Sequence, residues 1–134
     1  MAKVENEKDS LGFMVKYIKA CWEWSEKYPD HIYTSFIFWR LTKTDRKKRT
    51  LNGQFVSIGS NRLEGIIDEG KKRKLFKCGS SKRVARLIQV IITGSLVSLS
   101  SEPKKQNTQL KDFCLLSTLE LLGVSTEKIS KIVR

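Results

Sequence analysis

Two runs of cations are the residues in this chain best suited to chemistry with a ligand. They are Arg46-Lys47-Lys48-Arg49 and Lys71-Lys72-Arg73-Lys74, with Lys77 just beyond and Lys82, Arg83 and Arg86 a little later. Residues 40–86 hold fifteen basic and four acidic side chains, net +11, whereas residues 1–39 sum to −1 and residues 87–134 to +2. Nearly all of the formal charge of +12 therefore sits in about a third of the chain. Charge of one sign raises the energy of a folded protein through self-repulsion. A merely solvated face usually mixes signs, so a clustered excess points to a polyanion that neutralises it. The chemistry is electrostatic: ammonium and guanidinium groups meet phosphate oxygens and release counterions, and binding falls steeply with salt. An anionic lipid surface offers the same groups, at about 1 kcal/mol per basic residue held close to it.

Other chemistry finds little support. There is a single histidine, His31, and no Ser/His/Asp set stands out. The three cysteines, Cys21, Cys78 and Cys114, are far apart and lack the close pairs of zinc sites. No GxxxxGK[ST] or GxGxxG loop is present to cradle a phosphate. The expectation is a protein that is not an enzyme and uses no metal and no cofactor. An odd number of separated cysteines favours free thiols and a reducing compartment, cytoplasmic or nuclear. The start, MAKVENEKDS, lacks the basic-then-apolar order of a secretory signal. The longest uncharged run, Leu87 to Ser101, is shorter than the roughly 18 residues a membrane span requires. The chain is thus expected to be neither secreted nor membrane-spanning.

The elements that must hold the two basic runs are read from periodicity. At 134 residues the chain is long enough for one domain with a real core. Residues 1–9 read as a flexible start and residues 10–134 as a single basic domain. Leu11, Met14, Val15, Ile18, Cys21 and Trp22 recur at helical steps, and Pro29 ends that helix. Residues 31–42 are dense in β-branched and aromatic side chains and predict a strand. Tyr33, Phe36, Phe38 and Trp39 in that stretch are of a kind that stacks on bases, although such residues more often belong to a core. Asn52-Gly53 is a turn signal, and residues 54–58 predict a partner strand. The first basic run would then lie near a hairpin tip, in a loop over residues 43–50. Gly59-Ser60-Asn61 reads as a further turn, and Leu63, Ile66 and Ile67 as a short helix ending near Gly70. Ser80 and Ser81 are candidate N-caps for a helix over residues 81–93, with a hairpin turned at Gly94-Ser95 as the rival. Residues 101–107 form a linker. The last helices place Leu110, Phe113, Cys114 and Leu116 inward, then Gly123 in a left-handed position.

One motif in the tail carries geometry. Thr118 to Arg134 resembles the helix-turn-helix of DNA-binding regulators. Gly123 stands at the sharp turn, Leu122 and Val124 flank it, and Ile129 and Ile132 would pin the second helix to the first. The resemblance implies a recognition helix presenting Thr126, Glu127, Lys128, Ser130, Lys131 and Arg134, of which Lys128, Lys131 and Arg134 would meet phosphates.

Together these readings predict an α+β domain: an N-terminal helix, a small antiparallel sheet including a 31–58 hairpin, and a helical C-terminal third. The function expected is non-enzymatic binding of nucleic acid, RNA or DNA, through a basic face over residues 40–86. The alternatives are a small basic structural protein of the viral matrix or accessory type, touching an anionic membrane or a ribonucleoprotein, or an adaptor for an acidic protein. Self-association into a homo-oligomer is compatible with each.

Overall fold

Asp9 starts the first helix, α1 (Ser10–Lys27), by accepting the Leu11 N–H on its carboxylate at 2.8 Å. The computed structural model describes residues 9–31, 34, 37, 40, 45–101 and 103–133. Of the start expected to be flexible, only Asp9 falls within the described residues. Along α1, Leu11, Met14, Ile18 and Trp22 are buried, while Lys16, Lys19, Glu23 and Glu26 face solvent, as the stripe predicts. Tyr28 leaves the helical region (φ −128°, ψ 64°) because the proline after it crowds that conformation. Pro29 then opens a second helical stretch instead of a strand: residues 29–31, 34, 37 and 40 are all helical. Thr34 Oγ1 donates to the Asp30 carbonyl at 2.8 Å, the i−4 back-bond of a helical threonine.

The remaining elements are α2 (Arg46–Lys72), α3 (Ser81–Ser101), a short 3₁₀ turn (Lys104–Gln106), α4 (Asn107–Leu121) and α5 (Thr126–Val133). No strand occurs among the described residues, so the α+β expectation is replaced by an all-α fold. The residues expected to form a loop near the hairpin tip, Arg46 to Arg49, are the first turn of α2. The predicted strand at 54–58, the turns at Asn52-Gly53 and Gly59-Ser60-Asn61, and the short helix ending near Gly70 are all consecutive turns of that same 27-residue helix.

The physical reason for the miss is local. Glycine inside a helix costs about 1 kcal/mol against alanine, and asparagine rather less. Packing of Leu63 (1% exposed), Ile67 (0%) and Gly70 against the rest of the core outweighs that cost. Gly59 is also placed where its lack of a side chain serves, since a Cβ there would lie 2.8 Å from Gln89 Nε2 of α3.

α3 is the central element, touching α1, α2 and α4. Its buried residues, Ser81, Val84, Ala85, Ile88, Ile92 and Ser95, follow helical steps of three and four, so the helix runs past residue 93 to Ser101 and the rival hairpin is absent. Trp22 Nε1 donates to Ser95 Oγ at 2.9 Å, and Ser95 Oγ donates to the Ile92 carbonyl at 2.6 Å. This buried chain joins α1 to α3 with every donor used. α3 has the length and apolar composition that a bilayer span would need, with 33% of its most apolar window buried in the fold.

In α4 the buried residues are Leu115, Thr118 and Leu119, followed by Leu122. The inner face is therefore turned by about one residue from the expected one, leaving Phe113 55% exposed. Thr118 is accommodated because its hydroxyl donates to the Cys114 carbonyl at 2.8 Å. Lys111 of α4 pairs with Glu26 of α1 at the edge of that seam.

Candidate polyanion-binding surface

The corner between α2 and α3 is where cations and rigid backbone meet. α2 closes with the Arg73 N–H on the Glu69 carbonyl at 3.1 Å and the Lys74 N–H on the Lys71 carbonyl at 3.0 Å. The chain then reverses, and the Leu75 and Phe76 N–H groups both reach the Gly70 carbonyl, at 2.8 and 3.2 Å. The Phe76 ring (3% exposed) lies flat over Gly70: a Cβ there would stand 2.1 Å from a ring carbon, so only glycine admits this closure. Lys77 N–H donates to the Leu122 carbonyl at 2.9 Å and fastens the corner to the α4–α5 turn. Ser80 caps α3: its carbonyl accepts the Val84 N–H at 3.0 Å, and its Oγ accepts the Arg83 N–H at 3.3 Å. Ser81 Oγ donates to Asp68 Oδ1 at 2.5 Å, clamping the two helices together.

Within this frame the predicted basic residues divide. Lys71 Nζ donates to the Gly79 carbonyl and ties the loop. Arg73 Nε donates to Glu69 Oε1 at 3.0 Å, an exposed i, i+4 pair. Lys72, Lys74, Lys77, Lys82, Arg83 and Arg86 are exposed. Arg86 also bonds Gln89 at 3.2 Å. Lys74 is held at φ 60°, the left-handed region, where a glycine would be at ease.

The first run lies elsewhere. Arg46 and Lys47 are exposed on the opening turn of α2, where Asp45 Oδ1 accepts the Lys47 N–H at 3.0 Å. Lys48 and Arg49 share that turn, their side chains lying outside the described ones. Lys47 and Lys72 are separated by about seven turns of one helix, about 38 Å. The first run is thus on a helix rather than in a loop near a hairpin tip, and it stands far from the second. Tyr33, Phe36, Phe38 and Trp39 lie outside the described residues.

The turn of the tail is closed by a left-handed glycine, as its sequence predicts. Gly123 has φ 70°, its N–H bonds the Glu120 carbonyl at 3.0 Å, and the Val124 N–H bonds that of Leu119 at 3.1 Å. Val124 and Ile129 are buried and Ile132 is half-buried, while Thr126, Glu127, Lys128, Ser130 and Lys131 are exposed. Arg134 lies outside the described residues. The turn is wedged beneath the corner, because a Cβ on Gly123 would stand 1.9 Å from the Lys77 carbonyl oxygen. α5 therefore begins beside Lys77. Nothing in the sequence signalled this junction, since the glycine and the lysine it meets are far apart in the chain.

Of the thiols, Cys78 is half-buried within the corner itself, between Lys77 and Gly79, while Cys21 and Cys114 lie on α1 and α4. Burial pushes the Cys21 thiol up to about 11 and raises that of Cys114. Tyr17 is also raised, chiefly by burial and secondarily by Cys21. A cleft of about 330 Å³ between α1, α4 and α5 is lined by Lys19, Trp22, Glu23, Thr108, Lys111, Asp112, Leu115 and Ile132. Its walls mix both signs of charge and carry no cysteine or histidine. No protein-family model, curated protein or solved structure matches the chain.

Proposed function

We propose that this protein binds nucleic acid without catalysing a reaction, and that the α2–α3 corner is the principal contact. The observation that carries the reading is the set of exposed cations, Lys72, Lys74, Lys77, Lys82, Arg83 and Arg86, on a backbone closed at Gly70, Gly79 and Leu122. Cations on a rigid frame lose little conformational freedom on binding, so more of their attraction to phosphate appears as affinity. The nearby carboxylates are engaged, Asp68 by Ser81 and Glu69 by Arg73. Lys128 and Lys131 of α5 extend the contact if the tail enters a groove.

Titration of labelled RNA and DNA with the full chain tests this. Affinity is expected to fall by about a thousandfold between roughly 50 and 200 mM salt, given six phosphate contacts. Changing Lys72, Lys74, Lys82 and Arg83 together to glutamine is expected to lower the logarithmic salt slope by about 3–4. Unchanged binding by that variant overturns the proposal.

A second reading has its own observation. α3 presents an outward apolar stripe, with Leu87 42%, Val90 59% and Val97 40% exposed, and Arg83 and Arg86 at its start. An apolar stripe ending in cations fits an anionic membrane surface. Co-sedimentation with anionic but not neutral vesicles, lost in Val90→Glu, supports it; equal sedimentation of the variant removes it.

A further inference from the structure

We infer that the nucleic acid is a B-form duplex, gripped by the two ends of α2 at points one helical turn apart. The inference rests on the nucleic-acid reading above and adds the form of the ligand. Lys47 and Lys72 belong to one unbroken helix and are a near-whole number of turns apart, about seven, so they stand on the same line of its surface. That line faces outward: Lys47, Gln54, Ile58, Asn61, Gly65 and Lys72 are all exposed, while Leu63 and Ile67 hold the opposite side in the core. The separation is about 38 Å along the helix axis. One strand of B-form DNA returns to the same side of the duplex every 34–36 Å or so. The flexible four-carbon stem of lysine covers the small difference.

Between the two lysines the line itself holds no other described cation, so charged contacts along it are confined to its ends. Gln54, Ile58, Asn61 and Gly65, the exposed residues along the middle of the line, are uncharged. Gly65 has no atom within 4 Å of where a Cβ would stand, so the helix backbone is bare at the centre and a broad surface can lie close to it. Asp68 and Glu69, the acidic residues near the corner end, are bonded by Ser81 and Arg73. A flexible single strand has no fixed repeat, so any gain it makes from the two cations does not depend on a helical turn.

The experiment uses the full chain with labelled DNA duplexes of about 8 and about 14 base pairs, roughly 27 and 48 Å long, and single strands of the same lengths. Only the longer duplex reaches both lysines. Wild type is expected to gain about tenfold in affinity from the short to the long duplex, through the second contact made at high effective concentration. Extra binding registers alone give only about threefold, and single strands, able to stretch across both lysines at either length, are expected to show no larger step. Lys47→Glu, at an exposed position, is expected to lose the gain, its affinities for the short and the long duplex differing by no more than the roughly threefold that extra registers give. Binding to all ligands without a duplex-specific gain, or the full gain kept in Lys47→Glu, overturns the duplex inference and leaves the nucleic-acid reading standing. Absence of binding to every ligand overturns both.

Discussion

The two ends of α2 carry the same kind of sequence and are held in different ways. At its C-terminal end the basic run is locked: Phe76 covers Gly70, Lys71 ties to Gly79, and Lys77 is bonded to Leu122 across the molecule. At its N-terminal end the Asp45 carboxylate accepts the Lys47 N–H on the opening turn. Buried side chains of α2 among those described begin only at Leu63. A run of four cations is thus not one kind of object. At the corner, two of the four, Lys71 and Arg73, serve the fold through their own contacts, and Lys72 and Lys74 beside them stay exposed. Shared charge attracts a polyanion at either end, while the frame decides how much of that attraction survives the cost of ordering side chains.

The largest expected effect tests whether the corner is a frame at all. Gly123→Ala would place a methyl against the Lys77 carbonyl at a left-handed φ, and Gly70→Ala would push into Phe76. Each is expected to destabilise the protein by about 2–5 kcal/mol in a denaturant titration, the sum of backbone strain or steric overlap. A loss below about 0.5 kcal/mol at both positions would mean that the corner is loose, and the contrast between the ends would fail.

The next effect concerns binding. Lys72, Lys74, Lys82 and Arg83 changed together to glutamine are expected to cost about a hundredfold in affinity, with the melting temperature little changed. Arg46 and Lys47 changed to glutamine are expected to cost about tenfold or less, and only on ligands long enough to reach them. Reversal of that order would transfer the principal contact to the other end of the helix.

Alkaline pH is expected to loosen the packing of α1 without acting through the corner. The Cys21 thiol is raised by burial to about 11 from its usual value near 9. A raised folded-state value contributes stability that is complete below the unfolded value and is lost as pH climbs through the folded one. Stability should therefore fall between about pH 9 and pH 11, and Cys21→Ala should flatten that part of the profile. Cys114 and Tyr17 act in the same direction. At neutral pH the protonated Cys21 should react slowly with an alkylating reagent.

The smallest effect is the sharpest for the corner itself. Lys74→Gly relieves a left-handed lysine and is expected to stabilise the fold by about 0.5–1 kcal/mol. The same change should weaken binding by about twofold through the lost charge. Stabilisation with undiminished binding would make Lys74 a bystander.

Local chemistry made several parts of this molecule legible. The clustered charge, the stripe of α1, the break at Tyr28-Pro29, the serine cap of α3 and the left-handed Gly123 each depend on a few neighbouring residues. A residue-level rule therefore reads them correctly. The 27-residue α2 was not legible, because Asn52-Gly53 and Gly59-Ser60-Asn61 speak locally for turns, and their cost is met by contacts with chain far away, as at Gly59 against Gln89. The rotated inner face of α4 escaped for the same reason: with apolar residues at so many positions, only the neighbouring helices select Leu115, Thr118 and Leu119.

By itself, then, the sequence determined that this protein concentrates its positive charge in its middle third, since composition needs no partner to be expressed. Which cations are exposed, which tie a loop, and how far apart the two runs stand were decided by tertiary structure alone. Those facts follow from packing α2 against α3 and wedging the α4–α5 turn beneath Lys77, interactions between residues that no local pattern relates.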